Sequence, residues 1–552
     1  MIKFLLVFFC AGFILQATAQ NNAGVPGSAQ TGIQRPKLVV GIVIDQMRWD
    51  YLYRYYNRYQ DNGGFKRLIN SGFSCENTMI PYIPTVTACG HTSIYTGSVP
   101  AINGITGNEW WDYDLSQDVY CTGDDQVKTI GGSTNAGQMS PHNLLVTTIG
   151  DELRLATNFR SKVIGIALKD RAAILPAGHS ANAAYWYDET TGNWISSSYY
   201  INELPKWVQE LNAKKLVDKY YALDWNTLYP LDTYIQSAPD VEPYEFRPFG
   251  REAKGFPYNL TQFTGKNYNI LHVTPYGNSF TLDMEKAAVT GEQLGAGAVT
   301  DMLTISLSTP DYIGHTFGPN SVEAEDDFLR LDKELGSFLD FLDEKIGKGQ
   351  YLVFLTADHG AAHVPFFLNQ HKIPSGNAID EAYPDTLNKL LKNKFGADKL
   401  LIDVSNYQVH LNRDLIKHLG LNKDSVNKLV INYLSEQPGV FRALALDRLN
   451  ETTLNTTIKT AVTNGYYPQR SGDIQLIFKP QWIENFENGG TTHGEWNPYD
   501  SHIPLLWYGW NIRPGHTSRE VYMTDIAPTI ASLLHIQMPS GSIGHVIEEI
   551  SP

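Results

Sequence analysis

The chain of 552 residues is poor in cysteine, in charge and in long apolar runs. Only four cysteines occur. Cys10 lies in an N-terminal apolar stretch. The remaining three, Cys75, Cys89 and Cys121, exclude a Cys-rich structural zinc site and a disulfide framework. One bridge is feasible among them, and Cys75–Cys121 is the expected pair. Charged residues make up 18%, with 58 acidic against 43 basic, a net charge of −15. No basic stripe offsets that balance, which argues against a general nucleic-acid or anionic-membrane binder. A few cations or metal ions can still set the field inside one cleft. Beyond the N-terminal stretch no segment offers about 18 uninterrupted apolar residues, so no membrane span is expected. The rest, 42% apolar and 12% aromatic, is ordinary globular composition and excludes a disordered or fibrous chain. The length suits one large α/β domain with insertions, or about three domains of ~150 residues.

The N-terminus reads as a targeting segment. Met1-Ile2-Lys3 is a short positive region, residues 4–16 are apolar, and Ala17-Thr18-Ala19 is a small-x-small cleavage pattern. Residues 1–19 are therefore expected to be a signal peptide and residues 20–36 a flexible leader. Cys10 follows Val-Phe-Phe inside the apolar stretch, where a lipoprotein signal needs small residues. The mature protein is expected to be periplasmic or secreted.

Short, almost uniformly apolar runs recur at Leu38–Ile44, Val163–Leu168, Met302–Leu307, Tyr351–Leu355 and Ile503–Tyr508. Such runs suit strands buried on both faces of a mostly parallel sheet. Helical patterns separate them. Ser140-Pro141 reads as N-cap and first residue of a helix running to about Thr157. Ser321–Ile346 carries Phe328, Leu331, Leu335, Phe338, Leu342 and Ile346 on one face, and Thr524–Leu534 forms a third helix. Alternating strands and helices predict an α/β fold with a doubly wound, mostly parallel sheet. The stretches at about 180–297 and 366–470 break the rhythm and read as cap insertions.

The strand ends carry the chemistry, because ligands of open α/β sheets bind beyond the carboxyl ends of the strands. Leu38–Ile44 ends at Asp45. Met302–Leu307 leads to Asp311, with His315 four residues on. Tyr351–Leu355 leads to Asp358-His359, and His493 precedes the last strand. Each motif alone is more often a cap or a turn; their recurrence at three strand ends points to metal. Asp311 and His315 at i, i+4 share a helix face. Oxygen and imidazole ligands suit zinc better than manganese or iron. Six ligands exceed what one open site needs, so two ions are expected. His91, His142, His179, His363 and His371 lack such spacing and read as structural or solvated.

A nucleophile and anion contacts complete the set. Thr87 is followed by Ala, Cys and Gly and then a helical stretch, so an anion can approach backbone N–H groups at the helix start. Thr85 is its rival, and a plain N-cap is the bland alternative. Asn108, in Gly-Ile-Thr-Gly-Asn, is a loop amide donor. Lys169 and Arg171 flank Asp170 after a strand and can hold phosphoryl oxygens, Arg as a fork and Lys as a point charge.

Asp45, Thr87, Asp311-x-x-x-His315, Asp358-His359 and His493, in that order, resemble the alkaline phosphatase superfamily. Thr87 with Asn108 and Lys169-x-Arg171 is similar to its PafA-type phosphomonoesterases. The flanking stretches agree: TACGHTSIYTGSVP from Thr87, GITGN from Gly104 and KDRAAILPAGH from Lys169. The resemblance covers most of 37–552 and is weaker in the two insertions. It implies one alkaline-phosphatase-like catalytic domain over 37–552. One zinc would be held by Asp311, His315 and His493, the other by Asp45, Asp358 and His359 with the Thr87 oxygen. Thr87 would carry the phosphoryl group, and Asn108, Lys169 and Arg171 would bind its non-bridging oxygens. Some members hold a magnesium ion near this position; Lys169 puts a fixed cation there, so no magnesium requirement is expected. Phosphate monoesters are the implied substrates; a monomer is the expected state. Sulfatases need a modified Cys or Ser in C/S-x-P-x-R, whereas Cys89 is followed by Gly-His-Thr. A nucleotide pyrophosphatase/phosphodiesterase of the same superfamily is the alternative, and an exported metal- or phosphate-binding protein without turnover a remote one.

Overall fold

The computed structural model describes residues 33–133, 135–379, 383–484 and 489–550. The expected signal peptide, 1–19, and residues 20–32 of the leader lie outside them. Eleven strands form the main sheet among the described residues. In chain order they are β1 (Leu38–Ile44), β2 (Phe73–Met79), β3 (Thr129–Ile130), β4 (Val163–Ala167), β5 (Ala183–Asp188), β6 (Asn193–Ser197), β7 (Asp301–Leu307), β8 (Tyr351–Thr356), β9 (His502–Ile503), β10 (Leu505–Gly509) and β11 (Gly515–Tyr522). Their spatial order is β9-β2-β10-β8-β1-β7-β4-β5-β6-β3, with β11 added on β2. The five central strands, β8-β1-β7-β4-β5, are all parallel. Antiparallel pairs close both flanks, β10 on β8 and β6 on β5. The expected parallel core is therefore present inside a mixed sheet.

Every residue of β1, β7 and β8 is buried, as strands covered by helices on both faces require. Each Val, Leu or Ile so removed from water contributes about 1.5–3 kcal/mol relative to leaving it exposed. Seven helices matter here: α1 (Thr87–Thr96), α2 (Ile149–Ala156), α3 (Asp170–Ala177), α4 (Tyr276–Gly291), α5 (Thr309–Phe317), α6 (Val322–Leu342) and α7 (Ile526–Leu534). In α6, Ser321 caps the first turn, its hydroxyl accepting from Ala324 N at 3.1 Å. Phe328, Leu331, Leu335, Phe338 and Leu342 all face the core.

Several expectations need correction. The helix assigned to begin at Ser140-Pro141 begins at Ile149. Ser140 Oγ donates to Asp124 instead of capping (2.6 Å). The capping box belongs to Thr148 and Asp151. The last strand, expected at Ile503–Tyr508, is two pieces, because Pro504 has no N–H to pair. Cys75 and Cys121 form no disulfide: Cys75, Cys89 and Cys121 are all free and buried. Cys75 packs in the main core, whereas Cys121 packs in a separate apolar cluster with Ala88, Ile105 and Trp110. Residues 180–297 open with two strands of the main sheet, β5 and β6. Within 366–484 lies a second, antiparallel sheet, with Leu401–Ser405, Gln408–Leu411, Ile474–Phe478 and Val440–Ala445 side by side. It has its own core, including Leu387, Val409, Val430 and Leu476. Among the described residues no helix is long and apolar enough to cross a membrane.

Candidate active site

Three adjacent strands, β8, β1 and β7, end at one level. Ile44 pairs with Leu307, and Val43 pairs with Thr356. Just beyond that line lie Asp45, Asp311 and Asp358. Asp45 N–H makes a last rung to Leu307 O (3.1 Å). Gln46 then turns into the left-handed region (φ 64°) and ends the strand. Asp311 sits in the first turn of α5, and His315 one turn later on the same face places Nε2 3.1 Å from Asp311 Oδ1. His493 reaches the cluster from a loop, its Nε2 3.7 Å from Asp311 Oδ1. His359 Nε2 is 3.5 Å from both Asp45 Oδ1 and Asp358 Oδ2. Asp311, His315 and His493 form one group, and Asp45, Asp358 and His359 another. Within each, one ligand atom per residue lies within 4.8 Å of the others. The imidazoles of His359 and His493 stack at 3.5 Å between centroids, joining the two groups.

The hydrogen bonding orients these rings toward a cation. Nδ1 of His315 faces Thr491 O (2.7 Å), Nδ1 of His359 faces Gly360 O (3.0 Å) and Nδ1 of His493 faces Thr85 O (2.7 Å). A carbonyl there accepts from Nδ1–H, so each Nε2 presents its lone pair to the cluster. Burial holds His359 and His493 below the usual imidazole range, neutral as metal ligation needs. His315 differs: burial opposes it, but Asp311 raises it. Burial, with Asp358 and Asp311 nearby, pushes the Asp45 carboxyl up despite Lys169. Burial alone would raise Asp358 too; the imidazoles of His359 and His91 hold it low.

Asp45 Oδ1, Asp358 Oδ2 and His359 Nε2 are buried without a hydrogen-bond partner. Orphaned acceptors at the centre of a cluster are costly unless a cation satisfies them. Mixed oxygen and imidazole donors, three to a group, fit zinc with room for a further ligand. The residues present therefore fit two metal ions.

Lys169 bridges the groups. Its Nζ lies 2.8 Å from Asp45 Oδ2, 2.5 Å from Asp311 Oδ2 and 3.4 Å from Thr87 Oγ1. Burial alone would lower its pKa; the two carboxylates raise it, so the ammonium stays charged. Thr87 is the first residue of α1, 1% exposed, after extended Val86. Asn108 Oδ1 accepts from Ala88 N (3.0 Å), which turns its amide NH₂ outward as a donor. Arg171 Nη1 donates to Tyr120 OH (3.0 Å), and its buried Nε has no partner. Asp45, Thr87, Lys169, Asp311, His315, Asp358, His359 and His493 thus come together, with Asn108 tied to Ala88 beside Thr87 and Arg171 tied to Tyr120. Thr85, the rival nucleophile, is fully buried and donates to Glu495 O (3.0 Å).

Sequence reasoning missed three neighbours. Gln46 Nε2 donates to Asp311 Oδ1 (2.6 Å), and its backbone N–H to Asp358 Oδ1 (3.2 Å). His91, expected to be structural or solvated, is buried with Nδ1 2.9 Å from Thr87 O and 3.2 Å from Asp358 Oδ2. Tyr312 places its ring 4.9 Å from Lys169 Nζ. The spacing of His91, four residues after Thr87 on one helix face, was the available signal.

The chain is similar to known proteins over most of its length. A family profile described as type I phosphodiesterase/nucleotide pyrophosphatase matches residues 39–500. Alkaline phosphatase PhoV of Synechococcus elongatus is 53% identical, over 100% of this chain and 99% of its own. A Myroides odoratus protein named calcium-transporting ATPase is 52% identical, over 94% and 96%. Alkaline phosphatase PafA of Elizabethkingia meningoseptica is 49% identical, over 96% and 97%. A crystal structure of wild-type PafA matches with a TM-score of 0.93 at 49% identity, covering 95% of this chain and 100% of that one. A solved PafA variant carries substitutions at one Thr, one Asn, one Lys and one Arg. By sequence and by fold, the chain belongs to the type I phosphodiesterase/nucleotide pyrophosphatase family of the alkaline phosphatase superfamily, within its PafA-type alkaline phosphatases.

Proposed function

We propose that this chain is an exported di-zinc alkaline phosphatase that hydrolyses phosphate monoesters through a phosphothreonine intermediate at Thr87. One observation carries the reading: two three-ligand groups flank a buried ammonium that also touches the Thr87 hydroxyl. Asp311, His315 and His493 would hold one zinc, and Asp45, Asp358 and His359 the other. When bound, the ions would supply Lewis acidity at both ends of an in-line displacement and favour the Thr87 alkoxide. Thr87 Oγ1 attacks phosphorus, the ester P–O bond breaks, and the alcohol departs with a proton. Water then attacks the phosphothreonine, which releases inorganic phosphate and restores the Thr87 hydroxyl.

The other residues hold the phosphoryl group. Lys169 has two of its three donors on Asp45 and Asp311 and keeps the third at Thr87. Arg171 offers its unpartnered Nε, and Asn108 its NH₂. These contacts suit the dianion of a monoester, since a diester places a second ester group in the same space. The PafA variant named above changes the same four residue types. Residues 37–552 would form one catalytic domain, and Lys169 would remove the need for magnesium.

A second reading, nucleotide pyrophosphatase/phosphodiesterase, follows from the family description. The zinc-loaded enzyme should hydrolyse p-nitrophenyl phosphate far faster than bis-p-nitrophenyl phosphate and contain about two zinc per chain by elemental analysis. A preference for the diester selects the second reading, bound zinc without turnover the non-catalytic one, and one zinc per chain defeats the two-ion site.

A further inference from the structure

One turn of the second sheet reaches the site. Leu401–Ser405 and Gln408–Leu411 form a hairpin in which Ser405 pairs with Gln408, leaving Asn406-Tyr407 as a two-residue connection. Both residues are left-handed, φ 52° and 61°, the type I′ geometry of tight hairpins. Asn suits it. Tyr at the second position does not; glycine is the usual choice, and a β-carbon there costs about 1–2 kcal/mol. Strain of this kind persists where the surroundings demand the side chain.

Both side chains have such a use. Asn406 Nδ2 donates to Glu109 O at 2.7 Å, the residue next to Asn108. Tyr407 is buried, and its hydroxyl donates to His493 O at 2.6 Å. Each enters a notch made by a glycine. A Cβ on Gly107 would come within 2.5 Å of the Asn406 amide, and one on Gly494 (φ 133°) would collide with the Tyr407 ring. The tip is itself anchored: Tyr407 O accepts from Leu476 N (2.8 Å) and Gln475 Nε2 (3.0 Å) on the neighbouring strand. The two contacts act on different halves of the site. The loop at Asn108 is held from three sides, by Ala88 N on its side chain, Cys121 N on its carbonyl and Asn406 on Glu109 O. His493 is held by Thr85 O on its ring and by Tyr407 on its carbonyl.

We propose that Asn406 and Tyr407 are positioning residues: Asn406 sets the phosphate-binding loop at Asn108, and Tyr407 sets the metal ligand His493. The inference rests on the roles given to Asn108 and His493 under the proposed function. Conservative variants isolate each contact. Asn406→Gly keeps the left-handed turn and loses the amide, Asn406→Asp keeps the shape and loses the donor, and Tyr407→Phe loses only the hydroxyl. Losing one hydrogen bond of about 1 kcal/mol should raise KM and the inhibition constant of inorganic phosphate about five-fold in both Asn406 variants, with zinc content unchanged. Tyr407→Phe should release one zinc to a chelator at about ten-fold lower chelator concentration, as loss of an outer-shell partner does, while phosphate inhibition of the zinc-saturated enzyme stays as in wild type.

Wild-type phosphate inhibition in the Asn406 variants, or wild-type zinc retention in Tyr407→Phe, overturns the corresponding role. Equal movement of both readouts in all three variants, together with lowered melting temperatures, overturns the division of roles in favour of general loosening. Failure of the underlying reading is separate: it shows as wild-type enzyme without bound zinc, or as Asn108→Ala with unaltered phosphate inhibition.

Discussion

Replacing Lys169 and Arg171 together by Ala tests the monoester reading most directly. Lys169 Nζ lies within 3.4 Å of three oxygens at the centre of the site, and its side chain is only 2% exposed. Arg171 Nε is a buried donor without a partner. A hydrogen bond to a charged group contributes about 1.5–3 kcal/mol. At about 1.4 kcal/mol per factor of ten, each lost contact costs roughly 10- to 140-fold in kcat/KM. The pair should cost about 10²- to 10⁴-fold on p-nitrophenyl phosphate. On bis-p-nitrophenyl phosphate the loss should be far smaller, because one phosphoryl oxygen is esterified and the net charge is lower. The assay is kcat/KM on both esters with zinc saturating. Equal losses on the two esters would refute the assignment. The zinc-free double variant should also melt lower than zinc-free wild type, since removing one partner of a buried ion pair costs about 3–5 kcal/mol.

Two other outcomes are expected. Thr87→Ala should lose several orders of magnitude in turnover while keeping its fold by circular dichroism; near-wild-type turnover would move the nucleophile to Thr85. The buried pair Glu245 and Glu323 tests stability against pH. Burial raises Glu323 to about 8 and, with Glu323 beside it, Glu245 to about 9. A carboxyl raised in the folded state favours folding fully below its unfolded value near 4.3. That contribution is lost as pH climbs through 8 to 9, because the unfolded chain ionises first. The melting temperature should therefore fall between pH 5 and 9, and Glu323→Gln should flatten the fall; an unchanged slope would defeat this origin.

The strands that build the site were legible because they are buried on both faces and so read as unbroken apolar runs. Leu38–Ile44 was bounded correctly at both ends. The acids after them were legible because a strand end is where polarity returns. β2, FSCENTM, was not: at a flank it is only half apolar, and its pairing with β10 and β11 is set by distant residues. Strand direction leaves no mark on composition, which is why the antiparallel run of β10 escaped notice. The Ser140-Pro141 signal was genuine chemistry spent elsewhere, on Asp124. Gln46 was hidden because nothing local distinguishes a side chain that braces a carboxylate from one that fills a core, and His91 showed only its four-residue spacing from Thr87.

The shared level of β8, β1 and β7 couples architecture to ion capture. A slip of one position along β1 would turn Asp45 away from Asp358 and Asp311 and bring its apolar faces to the wrong helices. Correct alignment of three neighbouring ribbons thus brings the three acids to one edge of the sheet. Stripping the ions should leave a folded, receptive vessel, ready to be refilled, in contrast to small finger-like domains that exist only around their metal.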